Sequence, residues 1–149
     1  VIQLRFKSFF HLAATTFLLL SGSPSLAQSA QVSTARLSLE LNRLDAIDGN
    51  CRVTLVEKNG TAAFFSALKL DLVVFDGAGI VTKRVGLDAA PLKAGRTVVK
   101  TFDLKGLACE TVGRLLINDV LACDAEGLTP DGCLELVEPR SRTSATFDK

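Results

Sequence analysis

From Thr34 onward, apolar and polar residues alternate with a period of two along most of the chain, the signature of strands that bury one face. Leu37, Leu39 and Leu41 alternate with Ser38, Glu40 and Asn42, which predicts a first strand to about Leu44. Asp48-Gly49-Asn50 reads as a turn, and Cys51, Val53 and Leu55 then share one face of a second strand ending near Lys58. Asn59-Gly60 supplies another turn, because both residues tolerate positive φ. Phe64 to Asp76 places Leu68, Leu70, Leu72 and Val74 on one face; Lys69 and Asp71 hold the other until Val73 and Phe75 make it apolar too. Asp76-Gly77-Ala78-Gly79 turns this strand into a partner at Ile80 to Leu87, the clearest hairpin in the chain.

After a connection at Pro91 to Gly95, Arg96 to Leu104 is again extended, with Lys100 on the side of Val98, Phe102 and Leu104 and therefore expected to reach solvent at a sheet edge. Gly106 to Gly113 has room for one helical turn before a strand from Arg114 to Cys123. Leu134 to Val137 and Ser141 to Phe147 are expected as short final strands on either side of Pro139. No 15-residue stretch forms an amphipathic helix. About seven short strands punctuated by Gly, Pro, Asn and Asp predict an all-β fold, an immunoglobulin-like antiparallel β-sandwich in a single domain from 34 to 149.

The N-terminus departs from this rhythm. Arg5 and Lys7 precede a twelve-residue apolar run, Phe9 to Leu20, followed by Gly22, Pro24 and Ser25-Leu26-Ala27. That is the three-part layout of a secretory signal peptide, and the run is shorter than the roughly 20 residues of a membrane span. Small residues at Ser25 and Ala27 place cleavage between Ala27 and Gln28. Residues 28–33 are then expected as a flexible lead-in, with no membrane anchor left after cleavage. The absence of an Arg-Arg pair points to the general secretory route and a periplasmic destination.

Charge and composition narrow the chemistry. The 149 residues carry 17 basic and 16 acidic groups, one His, four Cys, nine Phe and no Trp, Tyr or Met. Near-neutral charge argues against a nucleic-acid partner. The single His, His11, falls in the expected signal peptide, so neither a Ser-His-Asp nor a Cys-His nucleophile nor an H-E-x-x-H metal site can be assembled from the remainder. Cys51, Cys109, Cys123 and Cys133 all lie beyond the cleavage point, and an even number in an exported chain reads as a disulfide framework. Four Cys allow three pairings. The segment between Cys123 and Cys133, rich in turn formers, favours a local bridge there, which leaves Cys51 with Cys109. The lack of a close C-x-x-C pair argues against both zinc and a redox-active pair.

Paired carboxylates remain available for acid-base work in Glu135 with Glu138 and Asp119 with Asp124, but such spacings arise by chance in most domains and are read here as solvated surface or sheet-edge charges. Asp124, Glu126 and Asp131 gather oxygen ligands in one loop, yet they miss the spacing of a calcium loop. Asn59-Gly60-Thr61 has the form of a glycosylation acceptor and is read as a turn. Phe64 and Phe65 are read as core, the rival reading being an exposed apolar knob at a loop. No catalytic residue, cofactor site or metal site is expected.

Several of these stretches match a known pattern. Val53-Thr54-Leu55-Val56, Asn59-Gly60-Thr61, Leu68 to Val74, Phe75-Asp76-Gly77 and Pro91-Leu92-Lys93-Ala94-Gly95 make the segment from Cys51 to Leu104 resemble the FxLYD-type extracytoplasmic β-sandwich modules. Phe75 stands where that family's Tyr would be, and the cysteines and everything after Gly106 lie outside the pattern. The chain beyond the signal, notably Leu39 to Leu44 and Gly113 to Cys123, also resembles uncharacterised exported proteins of Gram-negative bacteria. The resemblance implies an extracytoplasmic sandwich and assigns no activity. Two functions follow as expectations: a non-enzymatic binding or adaptor module holding another protein of the cell envelope, or a small carboxylate- or cation-dependent hydrolase or ligand carrier.

Overall fold

A computed structural model describes residues 35–149; the expected signal peptide, the Ala27/Gln28 cleavage point and the lead-in at 28–33 lie outside the described residues. Eight strands form two four-stranded sheets. Sheet I has the order β5-β2-β1-β7 and sheet II the order β4-β3-β6-β8, where β1 is Leu37–Ile47, β2 Asn50–Asn59, β3 Ala67–Asp76, β4 Val81–Asp88, β5 Thr97–Leu104, β6 Val112–Asp124, β7 Val137–Ser141 and β8 Thr146–Asp148. This is the expected all-β sandwich, though not wholly antiparallel, since β7 and β8 each join their sheet in parallel. One core joins the sheets: Leu37, Leu39 and Leu41 of β1 and Val53 and Leu55 of β2 pack with Leu68, Leu70, Leu72 and Val74 of β3 and Leu115 and Ile117 of β6.

The hairpins follow the turn chemistry. Asp76 Oδ1 accepts from the amides of Ala78 and Ile80, each at 2.9 Å, and so builds the β3–β4 turn. In β1 the alternation breaks at Leu44, and a bulge at Asn42 explains why: the register moves from Leu41↔Leu55 to Arg43↔Thr54. Leu44 thereby stays with the buried set despite its even number, since one extra residue reverses the parity of the faces. Gly113 begins β6 where the chain leans on the β3 turn. A Cβ there would lie 2.6 Å from the Asp76 carbonyl oxygen, so no side chain fits.

Further expectations are corrected. Leu134 to Val137 is not a strand, for Pro130–Leu136 forms a short helix, α1, and β7 starts at Val137; Ser141 to Phe147 is not one strand either, since β7 runs through Pro139 to end at Ser141 and β8 begins only at Thr146. Thr129 caps that helix by accepting from the Gly132 amide, with Pro130 at its first turn, the combination that starts helices. Phe64 and Phe65 divide between the two readings given for them: Phe65 is wholly buried, whereas Phe64 is half-exposed. The helical turn expected between Gly106 and Gly113 is a single 3-10 turn, Cys109–Thr111.

Disulfides join Cys51 to Cys109 and Cys123 to Cys133, the favoured pairing. The first ties β2 of sheet I to the turn that leads into β6 of sheet II; the second ties β6 to α1. Two formed bridges fit a chain that folds in an oxidising compartment. Among the described residues no helix is long and apolar enough to cross a membrane.

Candidate functional site on the open side of the sandwich

The two lateral sides of the sandwich differ. On one, β7 adds to β1 and β8 adds to β6, both in parallel, and the 142–145 link is fastened by Ser141 Oγ donating to the Ala145 carbonyl at 2.6 Å and by Arg142 Nε donating to Glu40 Oε1 at 2.7 Å. On the other, β5 and β4 are the terminal strands of their sheets. Their free backbone groups can be assigned by parity. The Asn59 amide donates to the Arg96 carbonyl, which continues the β2–β5 register. Alternate residues of an antiparallel strand point their amides the same way, so the even-numbered β5 amides face β2, while Thr97, Val99 and Thr101 point theirs outward. By the same count from Ala89 donating to Leu68, Arg84, Gly86 and Asp88 point theirs out of β4.

This side is basic. Residues 81–104 contain Lys83, Arg84, Lys93, Arg96 and Lys100 against Asp88 and Asp103, with Arg84 held by Asp71 and Asp103 held by Arg52 at 2.8 and 3.1 Å. Apolar side chains are exposed beside the charges, with Val99 and Ile80 each 63% accessible. A cavity of about 350 Å³ lies at the start of β5, lined by Pro91, Lys93, Arg96 and Val98.

Behind this edge the inner face of β2 carries Cys51, Val53, Leu55, Glu57 and Asn59 in strict alternation, all buried. The alternation noted for Cys51, Val53 and Leu55 continues through Glu57, which the pattern alone did not bring out, and Asn59, which it read as a turn residue; continuing the count places both on the inner face. Asn59 is a hub: its Nδ2 donates to the carbonyls of Ala63 at 2.8 Å and Leu92 at 3.2 Å, and its Oδ1 accepts from the amide and hydroxyl of Thr61. The Asn59-Gly60-Thr61 segment is thus a structural anchor, with its Asn buried. Glu57 is 0% exposed, and neither carboxylate oxygen has a hydrogen-bond partner. Burial raises its pKa from the ordinary 4.5 to about 7, with Lys100 pulling the other way. Lys100 does not run out to solvent as its position suggested. Its Nζ turns onto the carbonyls of Asp88 at 2.9 Å and Ala90 at 2.7 Å.

The carboxylates considered for catalysis are not gathered. Glu138 is paired with Arg140 at 2.8 Å, which holds its pKa down through that hydrogen bond. Asp124 accepts from Ser66 Oγ, Asp119 accepts from the Val120 amide, and Glu135 is exposed. Among the described residues no group of three or more His, Cys, Asp or Glu side chains is placed to hold a metal ion, and Asp124, Glu126 and Asp131 are all exposed. The most enclosed ion pair lies on the outer face of sheet II. There Arg84 donates twice to Asp71, at 2.7 and 2.5 Å, and Asn118 once, at 2.8 Å; the Arg84 hydrogen bond keeps the Asp71 carboxyl below the usual range. The Asp71 carboxylate is thereby satisfied from within the fold.

No family model matches the chain, and no curated protein matches its sequence. One solved structure shares the fold. It is IrmA from Escherichia coli, similar over 70% of this chain and 91% of that one, with 17% sequence identity and a TM-score of 0.54. At that identity the likeness to IrmA concerns the sandwich alone. The open side must be read from its own residues.

Proposed function

We propose that the protein is a non-enzymatic binding module of the bacterial cell envelope, exported to the periplasm, that takes up an extended acidic segment of another envelope protein along the free edge of β5. One observation carries the reading: β5 is a terminal strand with the sequence Thr97-Val98-Val99-Lys100-Thr101-Phe102, rich in β-branched residues, with three backbone amides directed away from β2. Strand addition to such an edge supplies main-chain hydrogen bonds, and side chains beside it set the choice of partner. Lys93 and Arg96 flank the edge and favour acidic side chains in the guest. The resemblance of residues 51–104 to extracytoplasmic FxLYD-type modules, the signal-like N-terminus and the two disulfides are all in keeping with an envelope location.

The test is a crosslinked pull-down of the tagged protein from the periplasm, comparing the native chain with Val99→Pro. Proline at 99 removes an outward donor and leaves the β2–β5 ladder intact. A partner captured in near-equal amount by the native protein and lost with Val99→Pro supports the reading. Equal capture by both, or return of the unaccompanied protein, rejects it.

A further inference from the structure

Glu57 and Lys100 occupy the same inner face of sheet I. Glu57 pairs with Val98 across the β2–β5 ladder and Lys100 pairs with Leu55, so the two are diagonal neighbours, within reach of long side chains. Yet they do not bond. Lys100 crosses instead to the end of β4, so that a residue of sheet I holds the backbone of sheet II across the open side. Glu57 is left with both oxygens buried and unpartnered, an arrangement tolerable for a neutral carboxylic acid and costly for a carboxylate.

The surroundings offer Glu57 no second choice. The inner positions of β1 are Leu37, Leu39 and Leu41, those of β3 are Leu68, Leu70, Leu72 and Val74, and the 89–92 link buries Ala89 and Leu92. On β4, Lys83 pairs with Val74, six residues along β3 from Leu68 and at the far end of the sheet from this site. Arg96, opposite Asn59 just before β5, is the other diagonal neighbour of Glu57 but is exposed; on β5, Lys100 is the cation that acts on Glu57.

We infer that Glu57 and Lys100 form a proton-operated latch: with Glu57 neutral, Lys100 clips β5 to the end of β4, and with Glu57 ionised, Lys100 is drawn from the Asp88 and Ala90 carbonyls and the open side loosens. The latch regulates the same edge that the proposed function assigns to the partner, and it rests on that reading only for its purpose. Loosening releases the Glu57 proton, so the opening constant rises by about tenfold per pH unit above the ordinary carboxyl range and levels off once Glu57 is ionised in the closed form as well.

The experiment needs no partner and so separates the latch from the binding reading. Amide hydrogen exchange of Ala89, Val98 and Lys100, corrected for intrinsic rates, is followed from pH 5 to 9. In the native protein the opening constant is expected to rise by about 40-fold between pH 5 and 7 and then to flatten. Glu57→Gln should stay slow throughout, and Lys100→Met should exchange fast at every pH. The inference is overturned if Glu57→Gln keeps the native pH dependence, or if Lys100→Met protects these amides as well as the native residue does. Should either variant fail to fold, the carbon-13 shift of the Glu57 carboxyl in the native protein decides: titration in the ordinary glutamate range removes the latch, and titration near neutrality together with the amide transition upholds it.

Discussion

A buried glutamic acid with no partner makes one residue a measurable part of the stability of the whole chain. Burial raises the Glu57 pKa from 4.5 to about 7. Below pH 4.5 the group is protonated in both folded and unfolded chains. Between 4.5 and 7 the unfolded chain gives up the proton that the folded chain keeps, so stability falls as pH rises through this window and is constant above it. The loss amounts to about 3 kcal/mol. Because Asp71, Glu40 and Glu138 have lowered values and contribute in the opposite sense at more acid pH, the quantity to measure is the difference between native protein and Glu57→Gln. Urea midpoints at pH 5 and 8 should show the variant gaining on the native chain with rising pH, and a constant difference would reject the assignment. Asn59 on the same face behaves otherwise, for its amide is fully used. Asn59→Ala strands the Ala63 carbonyl and the Thr61 amide, while the Leu92 carbonyl keeps the Phe65 amide, and should cost ~2 kcal/mol at any pH.

At the scale of elements, the parity of β5 can be tested directly. Val98→Pro deletes an amide that bonds β2 and should lower stability by ~2 kcal/mol or more, whereas Val99→Pro deletes one that faces out and should cost less than ~1 kcal/mol; equilibrium unfolding of the pair checks the ladder. Parity also explains what could be read from the sequence. The hairpins at Asp48-Gly49-Asn50 and Asp76 to Gly79, the central position of β3 and the two cysteine pairs were legible, because turn residues and period-two alternation act locally. Leu44 was harder, since the bulge at Asn42 that turns it inward depends on pairing with β2. Leu134 to Val137 looked extended because Leu134 and Leu136 alternate with Glu135 and a β-branched valine follows, while the Thr129-Pro130 start that decides for helix lies upstream. Lys100 was placed at an edge on the correct face, but its destination is a carbonyl pair in the other sheet, and that contact exists only once the two sheets meet. Glu57 was legible by simple counting, and it was masked by the expectation that a glutamate takes the solvent face.

At the scale of the whole molecule the asymmetry of the sandwich comes from its last 20 residues, which return β7 and β8 to one side and leave the other side free. The two disulfides divide their work along this line. Cys51–Cys109 closes a span of 58 residues and joins the sheets through the turn ahead of β6, so it restrains the unfolded chain by ~4 kcal/mol on the loop-entropy account. Cys123–Cys133 closes only 10 residues, worth ~3 kcal/mol on the same account, and its native role is to hold α1 on β6 so that β7 starts at the right place beside β1. Replacing the first pair with alanines should therefore lower the unfolding midpoint further than replacing the second. Replacing the second should instead raise hydrogen exchange in α1 and β7 while the amides of β2 and β3 stay protected. If both double variants lose the same amides in the same order, the bridges act on the unfolded chain alone, and the closed side is held by its strand pairing without help from the helix.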